Sequence, residues 1–431
     1  MQFSSPLRSK LNLSIVLCLF VFATIAVAQE LPTAKPEDVG LSTERLERIG
    51  IQVQRSIDNK EIAGAVTMVL RHGHVAWSKA QGMLDREAGK PMPQDALFRI
   101  CSMTKPITST AVMILYEEGR FQLDDPVSKY LPEFKNPKVL VKPASVVPYT
   151  IPATREITIR DLLRHTSGLT YNWNGDLGKM YNDAGVATGL APYDGTIADS
   201  VRHLAAQPLL FNPGERFEYS LGVDVLGRLV EVVSGLPLDE FFRTRIFEPL
   251  GMKDTSFFPP ADKLNRLSAA YRYDPGKGLS RQPEGPIQEY LLTYSADYPY
   301  RGPKTLFSGG GGLVSTAADY ARFCQMMLDN GKANGKRLLS RKSVELMTSD
   351  SLGKISPDQG FGLGFGIEGV KQPLSELGSP GAYDWSGFYY TSFVIDPKEQ
   401  MIVIFMAQLH PHAGVDIDEK VKTLAYQAIA D

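Results

Sequence analysis

Leu97-Phe98-Arg99-Ile100-Cys101-Ser102-Met103-Thr104-Lys105 is the stretch on which the reading of this chain turns. Ser102 and Lys105 are three residues apart, so on a helix their side chains share one face and the amine reaches the hydroxyl. A serine hydroxyl is a poor nucleophile until a base takes its proton, and a lysine amine kept from water is such a base. Pro106 is tolerated in a first helical turn, and Ala111 to Glu118 continues the helix. Ser102 is thereby expected at a helix N-terminus, where the dipole favours the negative charge that develops on a substrate oxygen. The spacing alone decides nothing, because Ser351-Leu352-Gly353-Lys354 repeats it. Ser351, however, stands among Asp350, Gly353, Pro357 and Gly360, which reads as loop. Cys101 is a rival nucleophile for a Cys/His pair, and Ser102 is the better candidate.

Working outward, the two ends of the chain are strand-like and the middle is not. Ser42 is positioned to cap a helix through about Arg55, followed by strands over Ala63 to Arg71 and His74 to Gln81 joined at His72-Gly73. Near the other end, Gly362 to Gly369, Tyr389 to Asp396 and Met401 to Gln408 read as strands, with a last helix from about Val415 to Ala430. Between them lie helices and long Pro/Gly-rich loops. Thr158 with Asp161 and Thr316 with Asp319 read as capping boxes, and Gly235 closes a helix that starts near Leu221. This order predicts an α+β fold: one antiparallel sheet formed by both chain ends and flanked by helices, with an inserted mainly helical lobe. The sheet lobe is placed at about 36–95 and 332–431 and the helical lobe at about 96–331, within a single domain over 29–431. The site is expected in the cleft between lobes, with Tyr294 to Pro303 lining it.

The first residues read as an export signal. Arg8 and Lys10 precede the apolar run Leu11 to Val27, and Ala26-Val27-Ala28 supplies a small-x-small cleavage site, so residues 1–28 are expected to be removed. The run is short for a membrane anchor. Cys18 follows Leu17 rather than the small residue of a lipobox. A periplasmic or secreted protein is the expectation. The remaining 403 residues carry 44 basic against 48 acidic side chains, which gives no basic footprint for nucleic acid. They also hold no second apolar run of membrane length. Cys101 and Cys324 read as two buried free thiols.

Other constellations fall away. No serine has the Gly-x-Ser-x-Gly pattern of an α/β-hydrolase elbow. His165 reads as ordering its own loop. His410-Pro411-His412 suggests a metal pair, but no nearby cluster completes a site. Gly309 to Gly312 lacks the Lys-Ser/Thr of a phosphate loop and instead lets backbone pass close to a substrate. No metal or organic cofactor is implied.

Five segments in order carry a resemblance. Leu97 to Lys105 resembles the nucleophile segment of the serine β-lactamase and penicillin-binding superfamily, and Leu162-Leu163-Arg164-His165-Thr166-Ser167-Gly168-Leu169 its Leu-Leu-x-His-Thr-x-Gly-Leu loop. Phe217-Glu218-Tyr219-Ser220-Leu221-Gly222 resembles its Tyr-x-Asn segment, Gly309 to Asp319 a glycine-rich loop before a helix, and Trp385-Ser386-Gly387 stands where its third motif belongs. The likeness runs from about Pro36 to the C-terminus and is strongest to the esterase branch, the family VIII carboxylesterases related to class C β-lactamases. It implies the β-lactamase/DD-peptidase-like fold and an acyl-enzyme on Ser102. Tyr219 would share the proton relay with Lys105 and protonate the leaving group. The backbone N–H groups of Ser102 and Phe388 would form the oxyanion hole, Phe388 lying on the strand after the third motif. Two positions depart from the β-lactamase pattern: Trp385 replaces a lysine that draws in a carboxylate, and Leu221 replaces an asparagine that binds substrate amide. Losing both favours neutral or apolar small esters over anionic amides. The same chemistry also serves a β-lactamase, a D-amino-acid peptidase or an acyltransferase. A non-catalytic penicillin- or peptidoglycan-binding receptor would have lost one of Ser102, Lys105 and Tyr219, and all three are present.

Overall fold

In this computed structural model, which describes residues 1–2, 30–144 and 147–431, the apolar segments Gly64–Arg71 and Met401–Met406 become the middle of a sheet. The expected export signal, Cys18 included, lies outside the described residues apart from Met1 and Gln2. The chain enters through helix α1 (Thr43–Asp58), the hairpin of β1 (Gly64–Arg71) and β2 (His74–Asp85), and the short β3 (Lys90–Pro91). Helices α2 (Thr104–Glu117), α3 (Ile159–Leu163), α4 (Gly222–Ser234) and α5 (Ala317–Leu328) dominate the middle. The chain then returns as β4 (Gly360–Phe361), β5 (Gly366–Ile367), β6 (Tyr383–Gly387), β7 (Thr391–Asp396) and β8 (Met401–Met406), and ends in helix α6 (Ile417–Tyr426). The eight strands form one antiparallel sheet in the order β4-β5-β6-β7-β8-β1-β2-β3.

Every residue of β1 and β8 is buried, because both faces of the sheet are covered. Alternation divides their side chains between two cores. Val66, Met68 and Leu70 join Ile402, Ile404 and Met406 in the larger core beneath α2 and α5. Ala65 and Val69 join Val403 and Phe405 in a second core against Leu46, Ile49 and Val53 of α1 and Val421 and Ala425 of α6. Each large apolar side chain buried this way contributes about 1.5–3 kcal/mol. Register is set by Val66 opposite Met406 and Arg71 opposite Met401. The β1–β2 turn has His72 and Gly73 both left-handed (φ 50° and 79°), the conformation whose twist matches a two-residue hairpin.

Local signals hold with instructive exceptions. The Ser42 hydroxyl accepts from the Arg45 N–H (3.3 Å), and α1 runs to Asp58, three residues past the expected end. The Thr158/Asp161 capping box forms in full, and Gly235 (φ 78°) ends α4. Thr316 caps α5, but the box does not close, because the Asp319 carboxylate accepts from the Asp254 N–H (2.7 Å) and the Thr255 hydroxyl (3.0 Å). Gly362 to Gly369 is not one strand: the chain turns between β4 and β5. The region between the sheet halves also contains hairpins at Lys138–Pro152, Tyr271–Arg281 and Ile287–Tyr294, which the reading of helices and loops omits. Cys101 and Cys324 are buried free thiols.

Candidate active site

Ser102 sits in the single 3₁₀ turn Cys101–Met103, and α2 begins two residues after it, so the candidate nucleophile precedes the helix rather than opening it. Cys101 holds a left-handed φ of 43°, uncommon for a residue with a side chain and typical of strained turns at functional sites. Neighbouring elements hold this turn. The Ile100 N–H donates to the Leu313 carbonyl (3.1 Å), and the Tyr320 hydroxyl of α5 donates to the Met103 carbonyl (2.9 Å). Gln408 accepts from the Arg99 N–H (3.0 Å) and donates to the Arg99 carbonyl (3.2 Å). On the other side, Gly387 at the end of β6 lies so close that a Cβ there would stand 2.4 Å from the Ile100 carbonyl oxygen. Burial pushes the Cys101 thiol up to about 12, so it stays protonated and does not compete with Ser102.

Lys105 is 1% exposed. Its Nζ donates to Ser102 Oγ (3.2 Å), to the Tyr171 hydroxyl oxygen (2.8 Å) and to the Gly310 carbonyl (2.6 Å). Its three partners match in number the donors that a lysine side chain can offer. The glycine run Gly309 to Gly312 makes this possible by passing directly over α2: Gly309 accepts from Thr108 (2.7 Å), and a Cβ on Gly310 would stand 2.5 Å from the Asp224 carboxylate. Asp224, near the start of α4, accepts from Ser308 Oγ (2.6 Å) and the Gly310 N–H (3.3 Å). Burial raises its carboxyl above the ordinary range, against the opposing effects of Ser308 and the Lys105 charge.

An aromatic wall stands over the amine. Tyr171 stacks on Trp173 (ring centroids 4.1 Å), Tyr219 leans on Tyr171 (5.2 Å), and Trp385 leans on Tyr219 (5.4 Å). Burial, then the neighbouring Tyr219 and Asp224, holds the Tyr171 phenol well above the usual tyrosine range, so it is a neutral partner for Lys105. Lys105 Nζ is 4.6 Å from the Tyr219 ring centroid, and the buried Tyr219 hydroxyl makes no hydrogen bond among the described residues. His165 is buried, accepts from the Ser220 N–H (3.3 Å) and packs on Tyr219 (4.8 Å), consistent with a part in holding its loop. Burial, then the Lys105 charge, keeps its pKa well below the usual value, so it is neutral.

Ser102, Tyr219, Trp385, Ser386, Gly387 and Phe388 all line one cavity of about 500 Å³, with Lys105 behind Ser102 at its floor. Trp385 to Gly387 lie within β6, and Phe388 lies in the turn that follows rather than on the next strand. None of residues 294–303 lines this cavity; Tyr294 instead packs behind Phe388 (5.3 Å), and the Tyr298 hydroxyl reaches the Gly311 carbonyl (3.5 Å). Leu221 is buried in the larger core. Tyr171, Trp173 and Asp224 were not legible as site residues, although Tyr171 follows the Leu162–Leu169 loop by two positions. Among the described residues, no group of three or more His, Cys, Asp or Glu is placed to hold a metal. His410 stacks on Phe388 (3.6 Å) and His412 on Tyr390 (4.8 Å).

A model of the family described as Beta-lactamase matches residues 52–427. A protein of Mycobacterium tuberculosis is 36% identical over 371 residues, covering 82% of this chain and 88% of that protein. Esterase EstB of Burkholderia gladioli is 33% identical over 384 residues, covering 87% and 92%. The solved structure of EstCE1, a hydrolase with promiscuous acyltransferase activity, is similar at a TM-score of 0.77 and 29% identity, covering 89% of this chain and 99% of that one.

Proposed function

Because the chain belongs to the β-lactamase family and is a serine hydrolase with esterase relatives, we propose that it is a carboxylesterase acting on small esters through an acyl-enzyme. The observation that carries this reading is the Lys105 amine 3.2 Å from Ser102 Oγ in a position closed to water. Lys105 acts as a base in its neutral form, after one ammonium proton has passed to solvent; the amine then keeps its two protons on Tyr171 and Gly310 and turns its lone pair to Ser102. Ser102 Oγ then attacks the ester carbonyl while Lys105 takes its proton. The backbone N–H groups of Ser102 and Phe388 stabilise the oxyanion. Tyr219 passes its phenol proton to the departing alkoxide and is resupplied from Lys105. Water adds to the acyl carbonyl and frees Ser102 by the reverse relay.

Trp385 gives the cavity an apolar wall where a β-lactamase has a cation, and Leu221 faces core rather than substrate. Both favour esters without a carboxylate group over β-lactams. Ser102→Ala should abolish hydrolysis of a short-chain p-nitrophenyl ester, and undiminished turnover would refute the assignment. Faster hydrolysis of a chromogenic cephalosporin than of a simple ester would instead make it a β-lactamase. On the N-terminal sequence pattern, the enzyme is proposed to act in the periplasm or medium, which N-terminal sequencing of the exported protein tests.

A further inference from the structure

The mouth of the catalytic cavity carries charge of one sign. Asp418 and Glu419, in the first turn of α6, both line it, and among the described residues no lysine or arginine does. The cations nearby are paired with other carboxylates: Lys420 with Asp416 (2.6 Å), Lys422 with Glu368, and Arg272 with Glu289 (3.4 Å), although the Lys422 charge also acts on Glu419. Asp418 and Glu419 make no ion pair among the described residues. Burial, then His412, pushes His410 down to about 4, so this lining ring is uncharged near neutrality. The Tyr390 hydroxyl donates to the Val415 carbonyl (2.8 Å), which ties the start of α6 to the cavity wall and fixes where the carboxylates stand.

Two further observations point to the same kind of ligand. Trp173, Trp385 and Tyr390 line the cavity, and aromatic rings attract a desolvated cation. Thr391 also lines it, is 1% exposed, and its Oγ1 has no hydrogen-bond partner among the described residues. A buried hydroxyl left unsatisfied gains from a hydrogen-bonding ligand group, an ammonium among those that qualify.

Building on the esterase reading, we infer that the preferred substrates are esters carrying a protonated amine, with the ammonium held at the mouth by Asp418 and Glu419 among the aromatic rings. The site's polarity is then the inverse of one built around a lysine for anionic substrates.

The test compares 2-(dimethylamino)ethyl acetate, protonated at pH 7, with its uncharged isostere 3-methylbutyl acetate, by acid release in a pH-stat. The amino ester should have at least a tenfold higher kcat/KM. That ratio should fall toward one in the Asp418→Asn/Glu419→Gln double variant, and should also fall in the parent enzyme as salt is raised to 1 M. Reading a ratio within each protein removes any difference in the folded fraction, and the salt series decides the matter if the double variant does not fold. A parent ratio near one, or one unmoved by salt, overturns the inference and leaves the esterase reading intact. No turnover of either ester by the parent removes the esterase reading and the inference with it.

Discussion

At the floor of the cavity, Lys105 is closed to water and makes three hydrogen bonds, whereas at the mouth Asp418 and Glu419 reach solvent and form no ion pair among the described residues. The floor is assembled from α2, the glycine run and the end of β6, pressed together until single glycine hydrogens separate them. The mouth is assembled from the turn after β6 and the first turn of the last helix. Groups held from several sides fix the chemistry, and a small displacement there costs much. Groups on a solvated rim bias which substrate enters, and can change without disturbing the floor.

Lys105→Met tests that contrast hardest. Removing the proposed base should lower kcat by about 10⁴-fold, since members of a nucleophilic unit act together, while thermal unfolding shows a folded protein. A loss below tenfold would mean that another group activates Ser102. Gly387→Ala comes next, because its Cβ would meet the Ile100 carbonyl oxygen at 2.4 Å. We expect a destabilisation of about 1–3 kcal/mol and a fall in activity of about 10²-fold from the displaced nucleophile turn. Equal activity and Tm would show that β6 and the turn have room to accommodate a side chain between them. Tyr171→Phe removes one acceptor from the buried amine. As a positioning change it should lower kcat about tenfold with little change in KM and shift the acidic limb of the pH–rate profile; a KM effect alone would place Tyr171 in substrate binding.

The smallest effect is expected in β6 itself. Asp384 is pushed up to about 7 by burial and by the neighbouring Glu368. A carboxyl that holds its proton more tightly when folded makes stability fall as pH rises from the unfolded value near 3.8 through about 7. Asp384→Asn should therefore gain stability relative to the parent at pH 8 and show little gain at pH 4, measured by urea midpoints. A gain independent of pH would contradict the assigned cause.

Much of this contrast was legible before the coordinates. The continuous apolar runs in β1 and β8 read as strands because both faces are buried, and Ser102, Lys105, Tyr219 and Trp385 do meet at one cavity. What was missed depends on long-range contact. Tyr383-Asp384-Trp385-Ser386-Gly387 contains three poor strand formers, and it is extended because Gly387 pairs with Thr391 and Tyr383 with Ile395. Nothing local marks Tyr171; only the fold brings it to Lys105. Residues 294–303 look like a cleft lining by composition, yet Tyr294 is packed behind Phe388. Asp319 shows the same competition at a helix start, where a tertiary N–H displaced the local one.

The pairing of β1 with β8 has a consequence for biosynthesis. Arg71 faces Met401 and Val66 faces Met406, so the central strands meet across a separation of roughly 330 residues. At about 5–20 residues per second, the first hairpin waits about 20–70 s for its partner strand to be made. Until then one long edge of β1 is unpaired, and Gly387 and Phe388 are made only shortly before β8 itself. On the proposed mechanism, a nascent chain therefore holds Ser102 and Lys105 without the proposed oxyanion donor Phe388, and competence would arrive only with the last tenth of the polypeptide. Truncation before β8 should leave an aggregation-prone chain with no residual hydrolase activity.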